Sequence, residues 1–362
     1  MDLQELLRFA VKQNASDIHV QAGVSPVLRI AGQMRAVESA PLSNDQVQEF
    51  VRSVAPPDRR ETLEADVVAG LDFSYAIPDV CRFRCSAYQQ LGRAGVVMRV
   101  IRTVIPSIDE LNLPKVVHDI ALSRRGLTLV TGTTGSGKST TLAAMIALLN
   151  NTHRTKILTI EDPIEYIHAP GNALIAQLEV GTDTPSFDQA LRQALRQDPD
   201  VILVGELRDV ETLRIALRAA DTGHQVFSTV HSANAPQTVE RIIAMFPPAE
   251  HKLLLAQLAG NVEAILSQRL LVTHAGGRRP AVEVLRGTPV TEKLIVENRL
   301  PELQAYIETG ESGMQSFDQH LLKMYQAELI SGTEALRWAT NPESLSMGMR
   351  GIRRTGGGPT PS

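Results

Sequence analysis

The chain is short of several things that would have pointed to common functions. It has two cysteines in 362 residues, Cys81 and Cys85. A structural zinc site needs about four ligands, and a disulfide scaffold needs cysteines in quantity, so the count argues against both. Cys-Arg-Phe-Arg-Cys reads instead as a strand with both thiols on one face, small buried residues in a reducing compartment. Aromatics make up 4% and there is one tryptophan, which speaks against a strand binder built on base stacking. The net charge of −4 removes the basic footprint expected of a nucleic-acid partner. No apolar run approaches the ~20 residues that span a bilayer, so no direct membrane insertion is expected. Met-Asp-Leu-Gln-Glu lacks the pattern of a signal peptide. The expectation is a cytoplasmic protein that meets a membrane only through a partner.

What is present is decisive at one place. Residues 132–140 read Gly132-Thr133-Thr134-Gly135-Ser136-Gly137-Lys138-Ser139-Thr140, a complete phosphate-binding loop. A buried-strand pattern, Gly126–Val130, precedes it and a helix pattern, Leu142–Leu149, follows. Glycines let successive N–H groups converge on one anion, and the helix adds its positive end. Lys138 is a mobile charge for the β- and γ-phosphates of ATP. Ser139 offers a hydroxyl to Mg2+.

Other motifs cluster around this loop in sequence. Asp200-Val-Ile-Leu-Val-Gly-Glu206 is an apolar strand ending in an acid, the Walker B pattern, with Glu206 a candidate for the Mg2+ shell. Thr159-Ile-Glu-Asp-Pro-Ile-Glu165 is a second strand ending in acids; Glu161, Asp162 and Glu165 are candidates to polarise water or order the metal's waters. The competing reading is a solvated acidic turn. Thr222–Ser232 sets His224 and His231 around a strand, as sensors of the γ-phosphate or as structural histidines. Arg82, Arg84, Arg93, Arg99 and Arg102 gather in the small domain of residues 1–102. Arg82 and Arg84 share a strand face, which is either solvated or reaches a nucleotide on a neighbouring subunit as an arginine finger does.

The organisation is two-part. Residues 1–102 read as a small α+β domain with strands at Ser16–Val20, Val27–Ile30, Leu71–Ile77, Cys81–Gln89 and Gly95–Ile101. Thr103–Pro114 reads as a linker. From Lys115, alternating strands and helices signal a parallel α/β sheet, with strands at Leu127–Val130, Lys156–Ile160, Val201–Val204 and Gln225–Thr229. The region from about Glu250 to 345 reads as helices, and 346–362 as a disordered tail.

Taken together, these motifs resemble the PilT family, the twitching-motility ATPases of the type IV pilus within the secretion-ATPase superfamily. The likeness runs over residues 1–345. It is carried by Ala15-Ser-Asp-Ile-His19, the phosphate loop, Thr159–Tyr166, Ala194–Asp200, Glu206-Leu-Arg-Asp209, Thr222–Ser232 and Gly313-Met-Gln-Ser-Phe-Asp318. The resemblance implies a PAS-like N-terminal domain joined to a RecA-like ATPase domain, with ATP held between them in a homohexamer. It makes Glu161 the carboxylate that activates water, Glu206 the Walker B acid, and His224 and His231 the His-box residues. Arg82, Arg84 and Arg99 become phosphate contacts. It also implies docking on an inner-membrane platform protein, PilC-like in kind, and a possible paralogous ATPase as co-worker. The absence of a four-cysteine zinc site favours the retraction branch over assembly. One stretch departs from the family: its Ala-Ile-Arg-Asn-Leu-Ile-Arg-Glu appears here as Val290-Thr-Glu-Lys-Leu-Ile-Val-Glu297, without either arginine. Four readings stay open: a retraction motor, an accessory ATPase of the PilU kind, a related secretion ATPase, and a nucleotide-gated regulator that produces no force.

Overall fold

The computed structural model describes residues 3–30, 32–78, 80–101 and 104–351. Two compact units emerge: residues 1–104 with 163–169, and 105–162 with 170–362.

In the first unit the chain runs α1 (Leu3–Lys12), β1 (Ala15–Gln21), β2 (Val27–Ile30), β3 (Gln33–Ala36), α2 (Asn44–Val54), α3 (Leu63–Ala69), β4 (Leu71–Ile77), β5 (Cys81–Gln90) and β6 (Arg93–Ile101). The six strands form one antiparallel sheet in the order β3-β2-β1-β6-β5-β4. Period-two alternation decides its faces. On β5, Phe83, Cys85 and Ala87 are fully buried, while Arg84 and Ser86 point outward. The inward set meets Leu6, Leu7 and Ala10 of α1 and Val47, Phe50 and Val51 of α2 in one core. Ser43 caps α2 with a reciprocal bond to Gln46, which satisfies two donors at the helix start. Cys81 and Cys85 are free thiols, and burial raises both, Cys81 to about 11.

The second unit continues with α4 (Val116–Ala121), β7 (Gly126–Thr131), α5 (Lys138–Thr152), β8 (Lys156–Glu161), β9 (Leu174–Glu179), α6 (Phe187–Ala194), β10 (Val201–Val204), α7 (Val210–Asp221), β11 (Gln225–Val230), α8 (Ala235–Ala244), α9 (His251–Asn261), β12 (Val262–Val272) and β13 (Arg278–Arg286). Five short helices close it: α10 (Pro289–Val296), α11 (Leu300–Glu308), α12 (Phe317–Gln326), α13 (Gly332–Trp338) and α14 (Pro342–Met349). The sheet order is β13-β12-β7-β11-β10-β8-β9, and β12 through β9 run parallel.

Both faces of this sheet are covered, so its strands are apolar throughout rather than alternating. Leu127, Leu129, Leu158, Ile160, Ile202 and Val204 face α6 to α9. Val130, Ile157, Val201, Leu203 and Phe227 face α4 and α5. Each such side chain contributes ~1.5–3 kcal/mol on leaving water.

Three expectations need correction. The region after Glu250 is not all helix, because β12 and β13 form a long antiparallel hairpin. Their residues are buried on both faces, so no period-two signal marks them. The stretch to Pro114 is not a free linker: Ile108 and Leu113 are buried in the second core. Residues 346–349, assigned to a disordered tail, complete α14; 352–362 lie outside the described residues.

The outer edge of β13 is closed by an antiparallel backbone bridge between Val284 and Gln315 and, beside it, by side chains. His320 Nδ1 accepts the Val282 N–H at 2.9 Å, and Gln315 Nε2 donates to the Val282 carbonyl at 3.0 Å. Burial, reinforced by the positive Lys323, pushes the His320 imidazole down to about 4. Between pH 6.5 and 4 the unfolded chain therefore takes up a proton that the folded chain refuses. Stability is full above pH 6.5 and is lost as pH falls toward 4. Between pH 7 and pH 5 the His320 ring should account for about 2 kcal/mol of the stability loss that denaturant titrations of the parent show, beside the share of the buried His168, also lowered to about 4. That loss should be smaller in His320→Asn, which keeps an acceptor but does not titrate. Equal losses would mean that the ring carries none of it.

Candidate functional site

The phosphate loop joins the end of β7 to the start of α5. Gly132 has φ 144° and Gly137, at the helix cap, φ 94°. A Cβ on Gly132 would stand 2.5 Å from Ser136 Oγ and 2.6 Å from the Gln268 carbonyl oxygen, so only glycine fits. The loop tip, Thr133 to Gly135, is exposed, while Lys138 is 8% exposed. Its Nζ donates to the carbonyls of Gly132 and Thr133, both at 3.0 Å. From the neighbouring strand β12, Gln268 Nε2 donates to Thr141 Oγ1 at 2.7 Å and pins the first turn of α5.

Parallel strands deliver the other groups to the same sheet end. Val204, the last residue of β10, lies between Ile160 of β8 and Ser228 of β11. Beyond it come Gly205 and Glu206; beyond Ile160 comes Glu161; and β11 leads into His231. Glu206 is largely buried, with one carboxylate oxygen bonded to Arg208 and the other 3.6 Å from His231 Nε2. Arg208 also lies 3.7 Å from Asp162. Glu161 accepts from Thr159 Oγ1 at 2.8 Å and Gln177 Nε2 at 3.4 Å. The Glu206 hydrogen bond raises Arg208 further above its usual range. Burial and the charge of Lys138 lower His231, against the pull of Glu206. A neutral imidazole beside a lysine can act as donor or acceptor towards a phosphate without adding charge.

Arg208 stands within the Glu206-Leu-Arg-Asp209 run but carries no role in the sequence motifs. Its signal was the one-residue gap to the Walker B acid. Asp209 instead caps α7, accepting from Thr212 N at 2.8 Å.

The structure does not bring His224 to this site. It precedes β11, at the opposite end of the sheet from His231, roughly 20 Å away by strand rise. Its Nδ1 lies 2.9 Å from the Ala219 carbonyl at the end of α7. There it lines a surface groove with Arg192, Arg196 and Arg218. Neighbouring sequence positions misled because a strand separates its two ends in space.

The arginines lie in the first unit. Arg84 of β5 stands directly opposite Arg99 of β6, and both line a cavity of about 160 Å³ with Pro163, Glu165 and Tyr166. Glu165 thus belongs with the arginines of that unit. Arg99 Nε bonds Asp17 at 2.8 Å, and Arg29 is 3.7 Å from the same carboxyl. Burial opposes ionisation of Asp17, but the bonds from Arg99 and Ser16 outweigh it and hold the carboxyl below its usual range. Arg82 shares the outward face of β5 with Arg84. Arg93 sits at the other end of β6, paired with Gln90, and Arg102 lies outside the described residues.

A phosphate loop in a doubly covered parallel sheet, with two strand-end carboxylates and an imidazole beside it, defines a RecA-like nucleotide-binding protein. The chain belongs to the family of type II/IV secretion system proteins, whose profile matches residues 1–283. It is 43% identical over 346 residues to the type IV pilus retraction ATPase PilT of Pseudomonas aeruginosa, covering 95% of this chain and 100% of that one. It is 40% identical over 349 residues to the type IV pilus ATPase PilU of the same organism, covering 96% and 91%. A crystal structure of the pilus retraction motor PilT with bound ADP superposes with a TM-score of 0.89 at 39% identity, over 96% of this chain and 99% of that one.

Proposed function

We propose that this chain is the ATP-hydrolysing subunit of a hexameric motor that retracts type IV pili. The convergence of the phosphate loop, Glu161, Glu206 and His231 on one sheet end supports hydrolysis. The end-to-end match to PilT supports retraction as the work done.

The residues suit a magnesium–nucleotide substrate. Gly132 to Ser139 form a cradle that a Cβ would fill, at the head of a 15-residue helix. Among the described residues no cluster of three His, Cys, Asp or Glu could hold a metal alone. Ser139 and Glu206 would hold Mg2+ together with phosphate oxygens and water, and Glu161 would contribute through water. The bound ion supplies neutralisation of phosphate charge. Lys138 binds the terminal phosphates, and Glu161 takes a proton from the attacking water. Arg208 holds Glu206 in place, and His231 reads the γ-phosphate. Arg82, Arg84 and Arg99 would serve as phosphate contacts. His224 takes no part at this sheet end. No helix among the described residues is long and apolar enough to cross a membrane, so the pilus machine's inner-membrane platform would be reached by docking.

A second reading, an accessory ATPase working beside a primary motor, is favoured by one observation. In α10 the persisting Leu294 and Ile295 are buried, whereas the two lost arginine positions are exposed and carry Glu292 and Val296. The surface of that helix has changed while its packing has not.

Deletion of the gene in its host, with wild-type and Lys138→Ala complements, tests the proposal. Excess surface pili without twitching, restored by wild type alone, is the expected result. Unchanged pili with normal twitching would overturn retraction, and a partial defect confined to loaded pili would favour the accessory reading.

A further inference from the structure

Glu283 is a buried acid that the hydrolytic scheme leaves unused. It is 1% exposed, in the middle of β13. Its neighbour across the hairpin is Ser267 of β12, and Ser267 lies beside Thr131, where β7 enters the phosphate loop. Its carboxylate accepts the backbone N–H of Ala235 at 2.9 Å. Ala235 is the first residue of α8, four residues after His231, and Asn234 caps the same helix through Gln237 N at 2.9 Å. The first N–H groups of a helix have no partner within it. Glu283 therefore ties down the end of the segment that carries His231. Gln304 of α11 and the positive Arg269 also act on the same carboxyl, opposing the effect of its burial. Arg269 in turn stacks on Phe317 of α12 and donates to the Trp338 carbonyl.

Burying a carboxyl is costly, and filling space alone would be served as well by an apolar side chain, though at the loss of the acceptor for the Ala235 N–H. A sensing imidazole, by contrast, must be held to within about 0.5 Å to be useful. We infer that Glu283 is a positioning residue for ATP hydrolysis: through the Ala235 N–H it fixes the loop bearing His231. The inference rests on the ATPase reading above.

The test is steady-state ATP hydrolysis by the full chain, alongside thermal melts and nucleotide affinity, at a temperature where every variant is folded. Glu283→Ala should lower kcat about tenfold or more while KM for ATP moves less than about threefold. Glu283→Gln keeps an oxygen that accepts the same N–H and should stay within about threefold of the parent. Ala235→Pro removes the donor at a helix position that accepts proline, so it should reproduce the alanine variant even if Glu283→Ala does not fold. In a His231→Ala background, Glu283→Ala should cost nothing further. A lower melting point with parental kcat would overturn the inference, as would a full penalty on top of His231→Ala or a Glu283→Gln as impaired as the alanine. A parent that binds ATP without hydrolysing it would instead overturn the ATPase reading beneath.

Discussion

Lys138→Ala abolishes ATP turnover, with a loss of about a thousandfold or more, equivalent to roughly 4 kcal/mol of transition-state stabilisation. The size follows from its surroundings. Lys138 is nearly buried and its ammonium lies against the carbonyls of its own loop, poised where terminal phosphates would sit. Methyl in place of ammonium leaves their charge unmatched. The fold should survive, since a buried cation is removed and no core side chain is touched. Phosphate release and ATP-induced thermal shift measure the effect. Turnover within tenfold of the parent would mean that this loop is not where hydrolysis occurs.

Glu161→Gln should separate binding from chemistry. Nucleotide affinity should stay within about threefold, while kcat falls by about 10²–10⁴, the usual worth of a general base. The amide is isosteric, and its oxygen can still accept from Thr159 Oγ1, which bonds Glu161 at 2.8 Å. Glu206 is a poorer candidate for the base because it is committed to Arg208 by a charge-assisted bond. Single-turnover hydrolysis with tight-binding controls decides the matter. Normal turnover in Glu161→Gln would move the base to Asp162 or to water ordered by Glu206.

Legibility in the sequence followed the kind of signal each element carries. The phosphate loop was readable because its glycines are required by backbone geometry, and Gly132 has no room for a Cβ. Strands flanked by turns and separated by helices, such as Val201–Val204, were readable from their apolar runs. The β12–β13 hairpin was not, since a strand buried on both faces shares its composition with a buried helix. Leu253 to Leu258, just before it, is a true helix of similar composition, which invited the extension. Glu161, Glu206 and His231 lie at matching strand ends, a relation that Walker patterns encode. His224 and Glu165 were grouped with them by sequence distance, which says nothing about which end of a strand a residue occupies. Glu283 was invisible for the opposite reason: its partner, Ala235, is far away in the chain.

Residues 163–169 belong to the first unit although they are threaded through the sequence of the second. The polypeptide consequently passes between the units three times, near residues 104, 162 and 169. Ile164 is 2% and Tyr166 7% exposed in that borrowed segment. A fragment cut at residue 105 would carry this apolar hook with nothing to receive it, and a fragment ending at 104 would keep an open seat. The halves are thus poor cassettes for exchange between relatives by a single crossover in the gene. Recombination that keeps the hook with its seat must bring both stretches from one parent.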